Sequence, residues 1–439
     1  MVGIKNLFYL LLLTIYTFKS VNGQDIYTLK ECINRGIEKN ISIKNSLIEL
    51  KLSEADRLSV VGDFLPNINI SANNSWSSGL TQDITTGLFA DQILQSANGS
   101  LSVGVDLYNG LSNIKNLQRA SLIKQSNKLQ TEKIKEDISL LIVNSYLQIL
   151  FNNENVNIQN RQLNVAQEEL KIAKEKYING KISKGDLLEI EANLAKKEEN
   201  LIVAKNNFLL SKISLAQILL IDDISNFDIN YDEFELPNSA ILKKDPQDIF
   251  NTALNKISDV KIAEKNLQIA KKNKELAYTM IHPSVNAFYS HNSRVLFGNS
   301  ESVKTQFDEN IGKTYGLQLS IPVFNNLNTQ TSIKKSKLNI LKSENLLQQA
   351  KLDLENLIHQ SLKNAQGASK TFEASIKTFQ ARETAYDYAK ERFKNGAINT
   401  LDFLQIQKQY ENAQSELIKS KYDYVFKIKV LEFYYGTEL

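Results

Sequence analysis

The side chains that could serve as nucleophiles, bases or metal ligands are scattered along this chain. Its three histidines, His282, His291 and His359, include no pair at metal-ligand spacing, and Cys32 is the single cysteine, so no intrachain disulfide can form. No G-x-S-x-G, P-loop or G-x-G-x-x-G stretch occurs. No catalytic centre, metal or cofactor is therefore expected. Carboxylates are plentiful, but stretches such as KKEEN and AKEKY mix them with lysines in the manner of solvated helix faces. Two carboxylates stand apart by position. Asp186 lies in KYINGKISKGDLLEI (Lys176–Ile190) and Asp402 in RFKNGAINTLDFLQI (Arg392–Ile406), and each follows a helix-capping residue, Ser183 or Asn399, by three positions. At that spacing an acid can close a reciprocal capping box.

The surrounding residues form a turn. Asn179-Gly180 and Asn395-Gly396 are suited to end a helix, because Gly adopts the left-handed C′ conformation and Asn tolerates it. The turn occurs twice because the chain is duplicated. At an offset of 216, Tyr108-Asn109 faces Phe324-Asn325, Gly180 faces Gly396 and Ile190 faces Ile406. Upstream the offset becomes 217, matching Pro66 with Pro283 and the segment 40–57 with 257–274. Six identities in the nineteen positions 176–194 exceed chance and indicate an internal repeat.

Each repeat alternates two kinds of element. Ile68, Ile70, Ala72 and Trp76 alternate with asparagines and serines, as do Leu101, Val103, Val105 and Leu107 with small polar residues. The second repeat does the same with Val285, Ala287 and Tyr289, then with Tyr315, Leu317, Leu319 and Ile321. Period two with an uncharged polar second face suits either a half-buried soluble strand or a membrane β-barrel strand. Beyond each strand pair, 111–178 and 327–394 contain no proline and carry apolar residues at three and four spacing, such as Leu163, Ala166, Leu170, Ala173 and Tyr177. Helices of that length span about 100 Å, more than a globular domain uses. With following helices 183–220 and 399–435, each repeat holds a hairpin whose tip is the duplicated turn.

Composition fits this outline. Hydrophobic residues make up 42% and charged ones 23%, the net charge is only +3, and Gly and Pro number 17 and 5, which argues against disorder and against a nucleic-acid partner. The start, with Lys5 and an apolar run from Leu7 to Phe18, is expected to be a secretory signal peptide, 1–23. The expected organisation is a first repeat over 24–221 (strands 66–76 and 100–108), a linker/equatorial segment over 222–247, expected to pack around the middle of the helical part, and a second repeat over 248–439 (strands 283–291 and 314–322). Four strands cannot close a membrane barrel, which needs at least eight. The chain is expected to oligomerise, and three copies give twelve strands around a water-filled interior.

The sequence resembles the TolC-like outer-membrane efflux protein family. The resemblance rests on Tyr177-x-x-Gly180-x-x-Ser183-x-x-Asp186-Leu187-Leu188, on its copy Phe393-x-x-Gly396-x-x-Asn399-x-x-Asp402-Phe403-Leu404, on Pro66 and Pro283, and on the duplication. It implies a mainly α fold with β: duplicated long α-helical hairpins in a trimeric α-barrel, and four strands per chain in a 12-stranded transmembrane β-barrel. It further implies an outer-membrane exit duct extending into the periplasm, joined through a periplasmic adaptor (membrane fusion protein) to an inner-membrane pump, passing small molecules or secreted polypeptides. Outer-membrane lipid surrounds such a barrel. The resemblance places a pore constriction at Asp402, with Gln405 and Asp186 as further candidates, where three Asp402 carboxylates around one axis would repel one another and attract cations. Adaptor docking is expected at the tips: Tyr177, Asn179, Gly180, Ser183 and Asp186, and Phe393, Asn395, Gly396, Asn399 and Asp402. The contrasting expectation is a structural or adaptor-type envelope coiled coil without a pore.

Overall fold

The computed structural model describes residues 25–82, 87–231, 239–298 and 301–437, so the expected signal peptide lies outside the described residues. In chain order the elements are β1 (Asp25–Tyr27), α1 (Leu29–Lys39), α2 (Ile41–Gly62), β2 (Asn67–Gln82), β3 (Phe89–Asn109), α3 (Ser112–Ile178), α4 (Lys184–Ile218), β4 (Phe227–Ile229), α5 (Pro246–Lys256), α6 (Ser258–Thr279), β5 (Ser284–Leu296), α7 (Val303–Glu309), β6 (Ile311–Ser320), α8 (Asn328–Lys394) and α9 (Thr400–Tyr435). The chain divides into two compact units, to both of which α3 and α8, each 67 residues long, contribute. No helix among the described residues is long and apolar enough to cross a membrane.

One unit comprises 46–131 and 258–351 and contains an antiparallel sheet of order β2-β3-β5-β6. Its register collects the alternating residues into rows: Ile68–Val103–Tyr289–Tyr315, then Ile70–Leu101–His291–Lys313, with Val105–Ala287–Leu317 on the other side of the first row. One face is thereby apolar and the other small and polar, with Ser71 and Ser100 hydroxyls hydrogen-bonded at 2.8 Å. The apolar face is largely uncovered: Ile70, Tyr315 and Leu317 are 82%, 80% and 69% exposed. Strands β2 and β3 overrun their expected limits, reaching Gln82 and starting at Phe89, because each continues to pair with the other beyond the reach of the apolar alternation.

Each strand pair passes into its long helix through two consecutive left-handed residues, Gly110-Leu111 (φ 68° and 67°) and Asn326-Leu327 (φ 55° and 61°), at the 216-residue offset. At Gly110 a Cβ would come within 2.6 Å of the Thr279 carbonyl oxygen, so space as well as φ requires glycine. Polar contacts join the helices of this unit, including Lys115 to Glu275 at 2.7 Å and Ser126 to Asn266 at 3.2 Å.

The other unit comprises residues up to 45, 132–257 and 352 onward. Its core includes Cys32, Ile142, Tyr146, Leu150, Leu215, Leu219, Phe227, Ile229 and Val425. Burial pushes the Cys32 thiol up to about 12, which keeps it protonated and inert. Strand β1 pairs in parallel with β4, which lies inside the segment 222–247 expected to link the repeats, and the Tyr146 hydroxyl donates to Asn230 O at 2.6 Å just beyond β4.

Candidate functional site

The two duplicated turns lie side by side in this second unit. Gly180 has φ 69°, Gly180 N donates to Tyr177 O at 2.9 Å and Lys181 N to Lys176 O at 2.8 Å. The second turn repeats the pattern: Gly396 has φ 73°, with Gly396 N to Phe393 O at 3.1 Å and Ala397 N to Arg392 O at 2.8 Å. Both are Schellman closures that satisfy the last carbonyls of the long helices. Asn179 adds its side-chain amide to Glu175 O at 2.8 Å, whereas among the described residues Asn395 donates through its backbone alone, to Glu391 O at 3.1 Å.

The caps differ between the repeats. Ser183 accepts from Asp186 N while Asp186 Oδ2 accepts from Ser183 N and Oγ at 3.1 and 2.7 Å, a complete capping box. Asn399 accepts from Asp402 N at 2.8 Å, but Asp402 Oδ2 takes the Asn399 side-chain amide at 2.8 Å, not its backbone N–H. The reciprocal box expected at Asn399 is therefore half formed, because the amide side chain supplies its own donor and captures the acid.

The two tips are tied to each other. Phe393 and Phe403 stack at 4.4 Å and Tyr386 and Tyr410 at 4.8 Å, within an apolar cluster that also buries Ala173, Ile190 and Ala389. Lys176, of the AKEKY stretch expected to be solvated, donates to Phe393 O at 2.6 Å and lies 4.3 Å from the Phe393 ring centre. Asp186 also accepts a hydrogen bond from the buried Thr400, and its bonds to Ser183 and Thr400 hold its carboxyl below the usual range. Between the turns runs a groove of about 730 Å³ whose charged lining is Lys176, Lys181 and Lys394 against Asp186. Asp402 and Gln405 are exposed on α9, on the opposite side from its buried Phe403 and Gln407. The structure thus separates Asp186, engaged between the tips, from Asp402, which is exposed and bonded to Asn399 of its own cap, and from the exposed Gln405; Tyr177 is exposed and Phe393 buried.

Further from the tips, the same four helices bury a polar layer that the sequence reading missed. Glu169 on α3 accepts from the Tyr386 hydroxyl at 3.3 Å and from Gln407 Nε2 at 3.2 Å. Burial pushes its carboxyl up to about 7, only partly offset by those two hydrogen bonds. Lys197 on α4 is buried in an ion pair with Glu411 on α9. Burial outweighs the lysine and leaves Glu411 above the ordinary carboxylate range. Lys197 belongs to the KKEEN stretch expected to be solvated, and its burial corrects that expectation: an acid 214 residues away supplies the counter-charge. Glu169 had a signal, since it sits three residues after Ala166 and four before Ala173, both buried, and so on the packed stripe.

The sequence model of the outer membrane efflux protein family matches residues 32–219 and 249–437. No curated protein sequence matches the chain. Among solved structures, the chain is similar to a Pseudomonas aeruginosa membrane protein (TM-score 0.80, 13% identity, covering 93% of this chain and 90% of that one). It is similar also to the Campylobacter jejuni CmeC outer membrane channel (0.80, 18%, 93% and 85%) and to the Vibrio cholerae outer membrane protein VceC (0.76, 15%, 93% and 96%). These likenesses show the fold, and the family match favours the channel over a poreless coiled coil. With the family model covering both repeats, this chain belongs to the outer membrane efflux protein family, a family of efflux channels that are not enzymes.

Proposed function

We propose that three copies of this chain close one conduit, a barrel in the outer membrane continued by an α-barrel in the periplasm, which serves as exit duct of a tripartite efflux or type I secretion assembly. The observation that carries this reading is the four-stranded sheet, whose outer strands β2 and β6 each have one unpaired edge. Open edges are intolerable in lipid, and three sheets of four strands give the twelve of a closed, water-filled barrel. The apolar face, with Leu317, Leu319 and Val105, then meets lipid, and the face with Ser71, Ser100 and Gln318 lines the lumen. The proposed organisation is a secretory signal peptide over 1–23, repeats over 24–221 and 248–439, and a linker/equatorial segment over 222–247. The test is native mass and single-channel recording of detergent-extracted protein. A trimer with stepwise conductance supports the duct; a monomer without conductance overturns it.

The basic groove between the tips is the candidate seat of a periplasmic adaptor, through Asn179, Gly180, Ser183, Asn395, Gly396 and Asn399, and an inner-membrane pump completes the assembly. Asp402, with Gln405 one turn on, is the candidate constriction, because its carboxylate is exposed and, among the described residues, bonded only within its own cap. Asp402→Asn is expected to reduce cation selectivity in bilayer recordings, and an unchanged reversal potential removes the ring.

A further inference from the structure

The outward face of β5 and β6 changes character at a single row. From the helix-proximal end it runs Val285–Leu319, Ala287–Leu317, Tyr289–Tyr315 and then His291–Lys313. Over these two strands, His291 and Lys313 are the only basic side chains on that face. They oppose each other directly, where Cβ atoms of facing residues lie about 5 Å apart. Among the described residues neither side chain has a hydrogen-bond or ion-pair partner. An imidazole and an ammonium therefore face one another with no carboxylate between them, immediately beyond an aromatic pair of the kind that marks a membrane interface.

Helix α7 closes the outer side of this row. Ser293, the next outward residue of β5, donates to Phe307 O at 2.7 Å. The Gln306 amide then takes the place of a strand residue, accepting from Leu296 N at 2.9 Å and donating to Leu296 O at 3.1 Å. On this shelf Val303 and Phe307, one turn apart, are exposed, as are Lys304, Asp308 and Glu309. From Tyr315 to Ile321 the outward residues of β6 and its continuation are all apolar, six residue steps or about 20 Å of extended chain. A lysine on the lipid face of a barrel costs about 2–4 kcal/mol at mid-depth but little near the interface. At the usual strand tilt of about 40° that apolar stretch rises about 15 Å of the roughly 25 Å apolar band, and the long Lys313 stem carries its ammonium on toward headgroup level. The neighbouring hairpin, not the helices, marks that level as the outer leaflet.

We propose that His291 and Lys313 form a binding site for a phosphate group of an outer-leaflet lipid, one site per protomer. The phosphate oxygens supply an anionic acceptor for both side chains, the acyl chains run along Leu317, Leu319, Ala287 and Val285, and α7 shields the headgroup on its outer side. The proposal rests on the reading above that the apolar face meets lipid.

The test uses the purified full-length assembly in native mass spectrometry, titrated with a diphosphorylated glucosamine lipid and with the same lipid after removal of its phosphates. The wild type is expected to hold the phosphorylated form at least about tenfold more tightly, the scale of one charge-assisted contact. His291→Gln/Lys313→Gln is expected to bind both forms equally, while Arg294→Gln, on the opposite face, keeps the preference. A wild type without preference, or a double variant that retains it, overturns the site. Folding of each variant is verified by its oligomeric mass. The face assignment is tested separately in a Trp76→Phe background, where brominated acyl chains should quench Leu317→Trp but not Gln318→Trp. Quenching of Gln318→Trp alone would overturn the lipid-face reading itself; quenching of Leu317→Trp without a phosphate preference would overturn the site alone.

Discussion

Glu169→Gln is expected to stabilise the protein at pH 8 and to do little at pH 5. The carboxyl of Glu169 titrates at about 7 in the folded chain against an ordinary 4.5, because burial opposes its charge more than Tyr386 and Gln407 support it. Below about 4.5 it is protonated whether the chain is folded or not, and it contributes no pH dependence. As pH rises from 4.5 to 7 the unfolded state releases the proton first, so stability falls with pH; above 7 the loss is complete. At 1.36 kcal/mol per tenfold change in proton affinity, the gap between 7 and 4.5 amounts to about 3 kcal/mol. Glutamine has nearly the shape of the protonated acid and keeps one acceptor for Tyr386 or Gln407. At pH 5 the substitution should therefore lie within about 1 kcal/mol of neutral, the scale of one hydrogen bond. At pH 8 it should gain up to about 3 kcal/mol, seen as a Tm several degrees higher. The assay is thermal unfolding of purified protein across pH 4.5–8.5, with Lys197, Glu411 and Tyr410 left in place. A variant equally destabilised at both ends, or one whose Tm follows the wild-type pH profile, would refute the account of a buried, mostly unpaired carboxylate.

Three further outcomes follow from the same geometry. Lys197→Met strands Glu411 in the helix seam and should cost about 3–5 kcal/mol, whereas Lys197→Met/Glu411→Leu should recover most of it, measured as a double-mutant cycle in Tm. Gly180→Ala and Gly396→Ala, at φ 69° and 73° with open space around them, should each cost about 1–2 kcal/mol from backbone strain alone. Gly110→Ala, which adds a clash with the Thr279 carbonyl, should cost measurably more in the same melts. Ser183→Ala should lower Tm by the equivalent of about 1 kcal/mol and raise the titration midpoint of Asp186, followed by NMR or by the acid limb of the melts, since Ser183 is the largest support of that ionised carboxylate.

What the sequence made legible was the part fixed by local chemistry. Asn179-Gly180 and Asn395-Gly396 are where the long helices end, because a left-handed C′ residue is a demand of the backbone itself. The strand faces followed from period two, since Ile68, Val103 and Tyr289 need only alternate to share a row. What escaped depended on partners distant in sequence. Lys197 looks like its neighbours Lys196 and Glu198, and only Glu411 on another helix distinguishes it. Strands β1 and β4, three residues each, are too short to carry a period, and each exists through the other. Helix α7 interrupts what reads as a hairpin loop, and its position is set by Gln306 filling a gap at the edge of β5. At the tips, Asp186 and Asp402 occupy equivalent sequence positions, yet Thr400 engages one and Asn399 the other.

The two free sheet edges have a consequence for how this protein comes into being. Until a second copy arrives, β2 presents sixteen residues and β6 ten, each with a row of unsatisfied N–H and C=O groups beside an exposed apolar face. Such an edge will pair with any extended chain it meets, including another misaligned copy. The solitary subunit is thus its own most dangerous intermediate, and the yield of channels is governed by a race between correct ring closure and off-pathway strand addition. That race is steeply concentration-dependent, since closure needs several partners and a misalignment needs only one. A holding chaperone that masks β2 and β6 would act on the rate-determining hazard without touching the finished pore. Alternation narrows the choice: a ten-residue edge laid on a sixteen-residue one has several registers, but every slip by an odd number of residues puts the apolar rows on opposite faces.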